Sequence, residues 1–243
     1  MLRKLLIVSC GLALLLAVEG NAKTTYTIKP GEVLEYKVMV KTLIHGGNQT
    51  VKVVGLEKYR NRSVFRIRSK VTSAGLVNQL TGYTETEELL LDAEELYPLY
   101  LRRTVLEKKK SKIEEVSFDY GKKIATRVYS KNGGPNEQTQ IKLPGIVHDG
   151  LSLQYFFRQV ELKPGQHQLY FYSNGKVKTI SYSVQEVNSK LELDCGIFSG
   201  YLEVQSPGVN ITLLLANNAE RYPLVIRKLS DIGKFEAKLQ KVF

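Results

Sequence analysis

Apolar positions recur at every second residue over much of the chain. Leu34, Tyr36, Val38 and Val40 alternate with Glu35, Lys37, Met39 and Lys41, and Phe65, Ile67 and Val71 alternate with Arg66, Arg68 and Lys70. The same period returns at Leu169 and Phe171 against Tyr170 and Tyr172, and at Ile180, Tyr182 and Val184 against Thr179, Ser181 and Ser183. It appears again at Leu191, Leu193 and Cys195, and at Ile211, Leu213 and Leu215. Successive side chains of a strand point to opposite faces, so this alternation predicts strands with one buried and one wet face. Antiparallel sheets show that pattern, whereas parallel α/β sheets, covered on both faces, read as continuous apolar runs.

Turn chemistry falls between the runs. Asn174-Gly175 predicts a two-residue type I′ hairpin, because the turn needs positive φ at both positions. Tyr120-Gly121-Lys122 predicts another hairpin, and Asn132-Gly133-Gly134-Pro135 a longer connection between strands near 124–130 and 138–143. His45-Gly46-Gly47-Asn48 reads as a glycine-rich loop between the first strand and a run that starts near Val51. One segment changes period. Leu153, Phe156, Phe157 and Val160 share one side at helical spacing, with Asp149 placed as N-cap and Lys163-Pro164-Gly165 as the stop. No internal repeat or Pro/Ser-rich linker divides the chain. The expected fold is all-β: a long curved antiparallel sheet or open barrel with one short amphipathic helix, in a single domain over residues 23–243.

Residues 1–22 have a different character. Arg3 and Lys4 precede 14 uncharged, mostly apolar residues (5–18), and Gly20-Asn21-Ala22 offers small residues for cleavage. Fourteen is short of the roughly 20 needed to span a bilayer. The expectation is a cleaved secretory signal and an exported chain, periplasmic or envelope-associated. Ile7-Val8-Ser9-Cys10 resembles a lipobox, but lipidation at Cys10 would leave the apolar stretch 12–18 in the mature chain. Cys10 is therefore read as an apolar member of the signal.

Five segments, in order, carry a family likeness. They are Pro30-Gly31-Glu32 with Leu34 and Tyr36; Phe118-Asp119; and Val147-His148-Asp149-Gly150-Leu151-Ser152 with Tyr155 and Arg158. Tyr222-Pro223-Leu224-Val225-Ile226 and Phe235-Glu236-Ala237-Lys238-Leu239 complete the set. In these the chain resembles the bacterial family of exported proteins called domain of unknown function 3108. The resemblance implies an envelope protein on a long curved antiparallel sheet, distantly similar to the open barrels that carry lipoproteins across the periplasm. It supplies no catalytic residues.

Charge narrows the choice of partner. Thirty-five Lys and Arg against 24 Asp and Glu give a net charge of +11. Arg102-Arg103, Lys108-Lys109-Lys110, Lys112 and Lys122-Lys123 crowd into one stretch, and Arg66, Arg68 and Lys70 share one strand face. For an exported chain the available anions are phospholipid head groups, lipopolysaccharide and wall polymers, so no nucleic acid is expected. Arg66, Arg68 and Lys70 are the candidate anion contacts; a charged outer face serving solubility is the alternative.

Catalytic chemistry finds little support. Cys195, alone once the signal is removed, cannot form an internal disulfide, and its phase with Leu191 and Leu193 reads as a buried structural thiol. In His148-Asp149 the aspartate has a sufficient role as helix cap, and no Gly-x-Ser-x-Gly elbow is present. His45, His148 and His167 lack metal-ligand spacing, and no phosphate-binding loop appears. The expectation is a non-enzymatic protein without cofactor or metal. It would bind an apolar or amphipathic ligand, a lipid or other envelope amphiphile, on its curved sheet. The alternative is an assembly or structural factor that contacts an envelope protein partner. The inward positions Leu34, Tyr36, Val38, Phe65, Ile67, Ile180, Tyr182, Leu213 and Leu215 either pack against one another or line a concave apolar groove.

Overall fold

The computed structural model describes residues 28–41, 43–230 and 233–243. The expected signal segment and Cys10 lie outside the described residues. In chain order the elements are β1 (Val33–Val40), β2 (Ile44–Tyr59), β3 (Arg62–Ser73), α1 (Gly75–Thr81), β4 (Thr84–Asp92), β5 (Pro98–Glu107), β6 (Lys110–Asp119), β7 (Ile124–Lys131), β8 (Glu137–Lys142) and β9 (Val147–His148). Then come α2 (Gly150–Gln159), β10 (Gly165–Ser173), β11 (Lys176–Val187), β12 (Leu191–Leu193), β13 (Gly196–Phe198), β14 (Tyr201–Ser206), β15 (Ile211–Ala216), β16 (Pro223–Ser230) and β17 (Gly233–Val242).

Fifteen strands form one sheet in the order β8-β7-β6-β5-β4-β3-β2-β1-β17-β16-β15-β14-β11-β10-β9, while β12 and β13 pair separately. Neighbours are antiparallel except the short parallel pair of β9 and β10. The sheet does not close into a barrel; it curls until its second half overlaps its first. Tyr172 of β10 packs among Leu101, Val116, Phe118 and Ala125 of β5–β7, and its hydroxyl donates to Glu114 Oε1 at 2.8 Å. Aliphatic and aromatic side chains on the pleated inner face supply the burial that holds this curl.

Helix α2 lies within the curl. Leu151 and Tyr155 join the cluster of Leu34, Tyr36, Phe65, Ile67, Leu89, Leu214 and Leu239. Leu153 and Phe157 join a second with Phe171, Ile180, Tyr182, Leu213 and Leu215. Asp149 caps the helix as expected, Oδ1 accepting from the amides of Leu151 (2.7 Å) and Ser152 (3.1 Å). Ser152 Oγ accepts from the Asp149 amide at 2.9 Å, completing a capping box.

Several expectations are corrected. The amphipathic helix packs its expected apolar side, Leu153, Phe156, Phe157 and Val160, on one cluster, but Ser152, Gln154 and Arg158 are buried too and Phe156 is only half-buried. Enclosure by the sheet covers its polar side as well. A second helix, α1, was not foreseen; it has seven residues and buries none of them, so core packing leaves no signal in its sequence. His45-Gly46-Gly47-Asn48 is not a loop but the start of β2, where Val38 pairs with Gly47 and Met39 with His45, leaving Gly46 as a bulge. Gly47 is required there because a Cβ would collide with the backbone of Thr72. Cys195 sits in the turn between β12 and β13 rather than on a strand, half-buried, its thiol donating to the Leu239 carbonyl at 3.4 Å. β15 is buried on both faces from Leu213 to Ala216, since each face meets a different cluster. The Asn174-Gly175 turn has positive φ at both residues, 50° and 74°, as expected.

Candidate functional site

The candidate site is on the outer face of β2–β5. Inward Val51, Val53, Ile67, Leu89 and Leu101 are buried, so the residues between them must face out. Strand register then sets these in rows. Lys52 pairs with Arg68, Arg68 with Glu88, and Glu88 with Arg102. The row above it runs Thr50, Lys70, Thr86, Thr104. Together the two rows line a hollow of about 650 Å³, with the buried Ser69 and Glu87 in its floor.

The hollow is cationic. Arg68 Nε donates to Glu88 Oε2 at 2.9 Å, and Arg66 also bonds Glu88. Burial pulls the Glu88 carboxyl up, but these arginine hydrogen bonds outweigh it and hold it below the usual carboxylate range. Arg102 reaches Glu115 at 3.5 Å, outside the hollow. Among the described residues, Lys52 and Lys70 have no ion pair. Four cations therefore line the hollow with Glu88 and the floor residue Glu87, and three threonines of one row add hydroxyl donors. Of the three candidate contacts, Arg68 and Lys70 line the hollow. Arg66 does not: its guanidinium is committed to Glu57 (2.7 and 2.8 Å) and Glu88. Lys52 and Arg102 were not singled out as contacts; each sits at an outward position of its strand, but only register brings them beside Arg68.

The inner face behind the hollow is polar near the α2 cap. Arg103 bridges Glu87 (2.9 Å) and Glu85 (3.4 Å), while Glu87 Oε1, Asp149 Oδ2 and His148 Nδ1 are buried without a hydrogen-bond partner among the described residues. Burial pushes the Glu87 carboxyl up to about 7 against the pull of Arg103, and lowers His148 to about 4. The His148 ring packs on Phe156, centroids 4.3 Å apart. A neutral imidazole against an aromatic ring, next to a carboxylate engaged in capping, is a packing arrangement. Among the described residues no three His, Cys, Asp or Glu side chains are grouped to hold a metal ion.

Three of the five segments carrying the family likeness converge in space at the other end of α2. Arg158 donates to both oxygens of Glu32, at 2.7 and 2.8 Å, and its Nε to the Glu220 carbonyl at 3.1 Å. Its guanidinium lies over the rings of Tyr155 and Tyr222, at 5.4 and 5.0 Å. Tyr36 donates to the Pro223 carbonyl at 3.0 Å. Residues of β1, α2 and β16, with Glu32, Glu220 and Tyr222 just before the two strands, thus form one latch around the buried Arg158–Glu32 pair.

A family model described as Protein of unknown function (DUF3108) matches residues 33–240. The chain belongs to the DUF3108 family. The match spans the sheet, the helix and both partners of the cationic rows. Among solved structures, this DUF3108 chain is similar to a β-barrel-like protein of domain of unknown function DUF1849 from Brucella abortus. The TM-score is 0.51 at 10% identity, over 89% of this chain and 99% of the other. That likeness concerns the fold alone. A putative exported protein with a YmcC-like fold from Bacteroides fragilis aligns over 88% of this chain and 96% of its own, at 5% identity and a TM-score of 0.32. Among curated proteins none matches. No helix among the described residues of this DUF3108 protein is long and apolar enough to cross a membrane.

Proposed function

We propose that this protein is a non-enzymatic, exported envelope protein that binds an anionic amphiphile, its head group held in the hollow of Lys52, Arg68, Lys70 and Arg102. The observation that carries this reading is the pairing of volume with charge: about 650 Å³ lined by four cations and two glutamates, one of them buried in the floor. Charge-assisted hydrogen bonds to phosphate oxygens are the strong ones, and guanidinium and ammonium groups here offer them from β2, β3 and β5. The inward apolar positions argue against a ligand in the interior. Leu34, Tyr36, Phe65 and Ile67 are packed with Leu151 and Tyr155, and Ile180, Tyr182, Leu213 and Leu215 with Leu153 and Phe157. The ligand site thus moves from the inner face to the outer one. Export rests on the character of residues 1–22.

An assembly role through a sheet edge draws on β8, whose outer edge is unpaired and whose residues are nearly all exposed. Its sequence, Glu137 to Lys142, is polar and charged throughout apart from Ile141, the composition that deters strand addition. The hollow therefore favours ligand binding. Calorimetric titration with dihexanoyl phosphatidylglycerol is expected to show saturable binding that weakens with salt. Lys52→Ala/Lys70→Ala should reduce it by about tenfold or more, in keeping with two lost charged contacts. Equal affinity for dihexanoyl phosphatidylcholine, or no effect of the double variant, would overturn the assignment.

A further inference from the structure

Antiparallel hairpins place their turns alternately at the two ends of a sheet. One end here gathers the close of β1 and start of β2, α1, the β5–β6 turn, and the close of β16 and start of β17. Hydrogen bonds make this rim continuous. Lys41 N donates to the Lys234 carbonyl at 2.8 Å, and Ala74 N, just before α1, to the Gly46 carbonyl at 2.9 Å. Gly82, the C-cap of α1, lies beside the amide of Lys108.

Twelve large apolar side chains are exposed among the described residues, and six of them stand on this one rim: Leu43, Ile44, Leu76, Leu80, Leu106 and Leu229. Leu43 is 87% exposed, Leu76 70% and Leu80 69%. Leu76 and Leu80 are one helical turn apart on α1, a helix that buries no residue of its own. Only Val77 and Thr81 of α1 are even half-buried, against β2 and β3, so the two exposed leucines are unexplained by folding. Around them stand Lys108, Lys109, Lys110, Lys112, Lys228 and Lys234, against Glu85, Glu107, Glu137 and Glu236 among the described acids, the last ion-paired with Lys234 at 3.7 Å.

We infer that this rim docks the protein on the surface of an anionic lipid bilayer. The leucines enter the head-group boundary and the lysines meet lipid phosphates, the combination by which interfacial elements bind membranes. Charge selects this occupant. A second copy of the chain would set one lysine-rich rim against another, and like charges in contact oppose association. The inference does not depend on the hollow, which lies on the outer sheet face and is lined by different residues.

The test is co-sedimentation of the purified protein with vesicles of phosphatidylcholine doped with phosphatidylglycerol, compared with Leu76→Asp/Leu80→Asp. The wild type is expected to bind the doped vesicles, to bind pure phosphatidylcholine less, and to be released by salt. The variant should lose about tenfold or more of the bound fraction, as expected for removal of an apolar anchor. Its unchanged thermal midpoint would show that it folds. Its retained binding of dihexanoyl phosphatidylglycerol would separate the rim from the hollow. Equal vesicle binding by variant and wild type would overturn the inference. So would absent binding by the wild type, including the case where sedimentation velocity shows a dimer that the variant abolishes.

Discussion

Arg158→Met should be among the most damaging single substitutions in the molecule. The Arg158 side chain is 1% exposed and that of Glu32 2%. The substitution keeps most of the side-chain volume but strands the Glu32 carboxylate in the interior without its cation, a change that costs about 3–5 kcal/mol. It also strips the Glu220 carbonyl of the donor at 3.1 Å, worth about another 1 kcal/mol. The expected loss is therefore about 4–6 kcal/mol, a large part of the total stability of a typical domain. Arg158→Met/Glu32→Leu removes both charges together, and replacement of a buried pair by apolar groups is close to neutral. The double variant should recover about 3 kcal/mol relative to the single one. Urea unfolding followed by tyrosine fluorescence and far-ultraviolet circular dichroism gives the midpoints and slopes for the cycle. A loss below about 1 kcal/mol for Arg158→Met, in the range of surface substitutions, would refute the latch. A double variant as unstable as the sum of the singles would do the same.

Other outcomes follow from the packing around α2. Phe157→Ala should cost about 3–5 kcal/mol and Phe156→Ala clearly less, because Phe157 is 1% exposed and Phe156 only half-buried; chemical denaturation of both variants checks the order. Asp149→Ala removes two capping bonds and should cost about 1–2 kcal/mol, read in the same assay. Glu87 and His148 oppose each other in pH. The raised Glu87 pKa of about 7 means the native state keeps a proton that the unfolded chain releases, so stability falls as pH rises from about 4.5 to 7. The lowered His148 pKa of about 4 means the unfolded chain takes up a proton that the native state refuses, so stability falls as pH drops from about 6.5 to 4. Relative to wild type, Glu87→Gln should therefore gain stability as pH rises through the first window, by about 3 kcal/mol from a shift of 2 to 3 pH units. His148→Gln should gain as pH falls through the second. Flat difference profiles from thermal unfolding at stepped pH would contradict both.

The strands and most turns were legible because their signals are local. Asn174-Gly175 carries its own φ requirement, and Asp149 with Ser152 caps α2 within three residues. What was illegible depends on partners distant in the chain. Gly46 and Gly47 look like loop residues until Thr72 and Val40 occupy the space that a side chain would fill. Leu214 and Ala216 sit where alternation assigns the wet face, and only the cluster behind them makes that face dry. The latch joins Arg158 to Glu32 across 126 residues. Arg158, Glu32, Tyr36, Tyr155 and Tyr222 all stand in segments that carry the family likeness, yet nothing local pairs them. The hollow was half legible: Arg68 and Lys70 share an outward phase, but Lys52 and Arg102 reach them only through the pairing of four strands. Arg66 has that same phase and was drawn away by Glu57, a residue whose approach depends on the β2–β3 register.

Native mass spectrometry of the protein purified from its own envelope, followed by denaturation and lipid analysis, tests anionic-amphiphile binding most directly. The expected result is a stoichiometric adduct that proves on extraction to be an anionic amphiphile, present on the wild type and missing from Lys52→Ala/Lys70→Ala. A bare protein mass, or a neutral or zwitterionic adduct retained equally by the double variant, would contradict it.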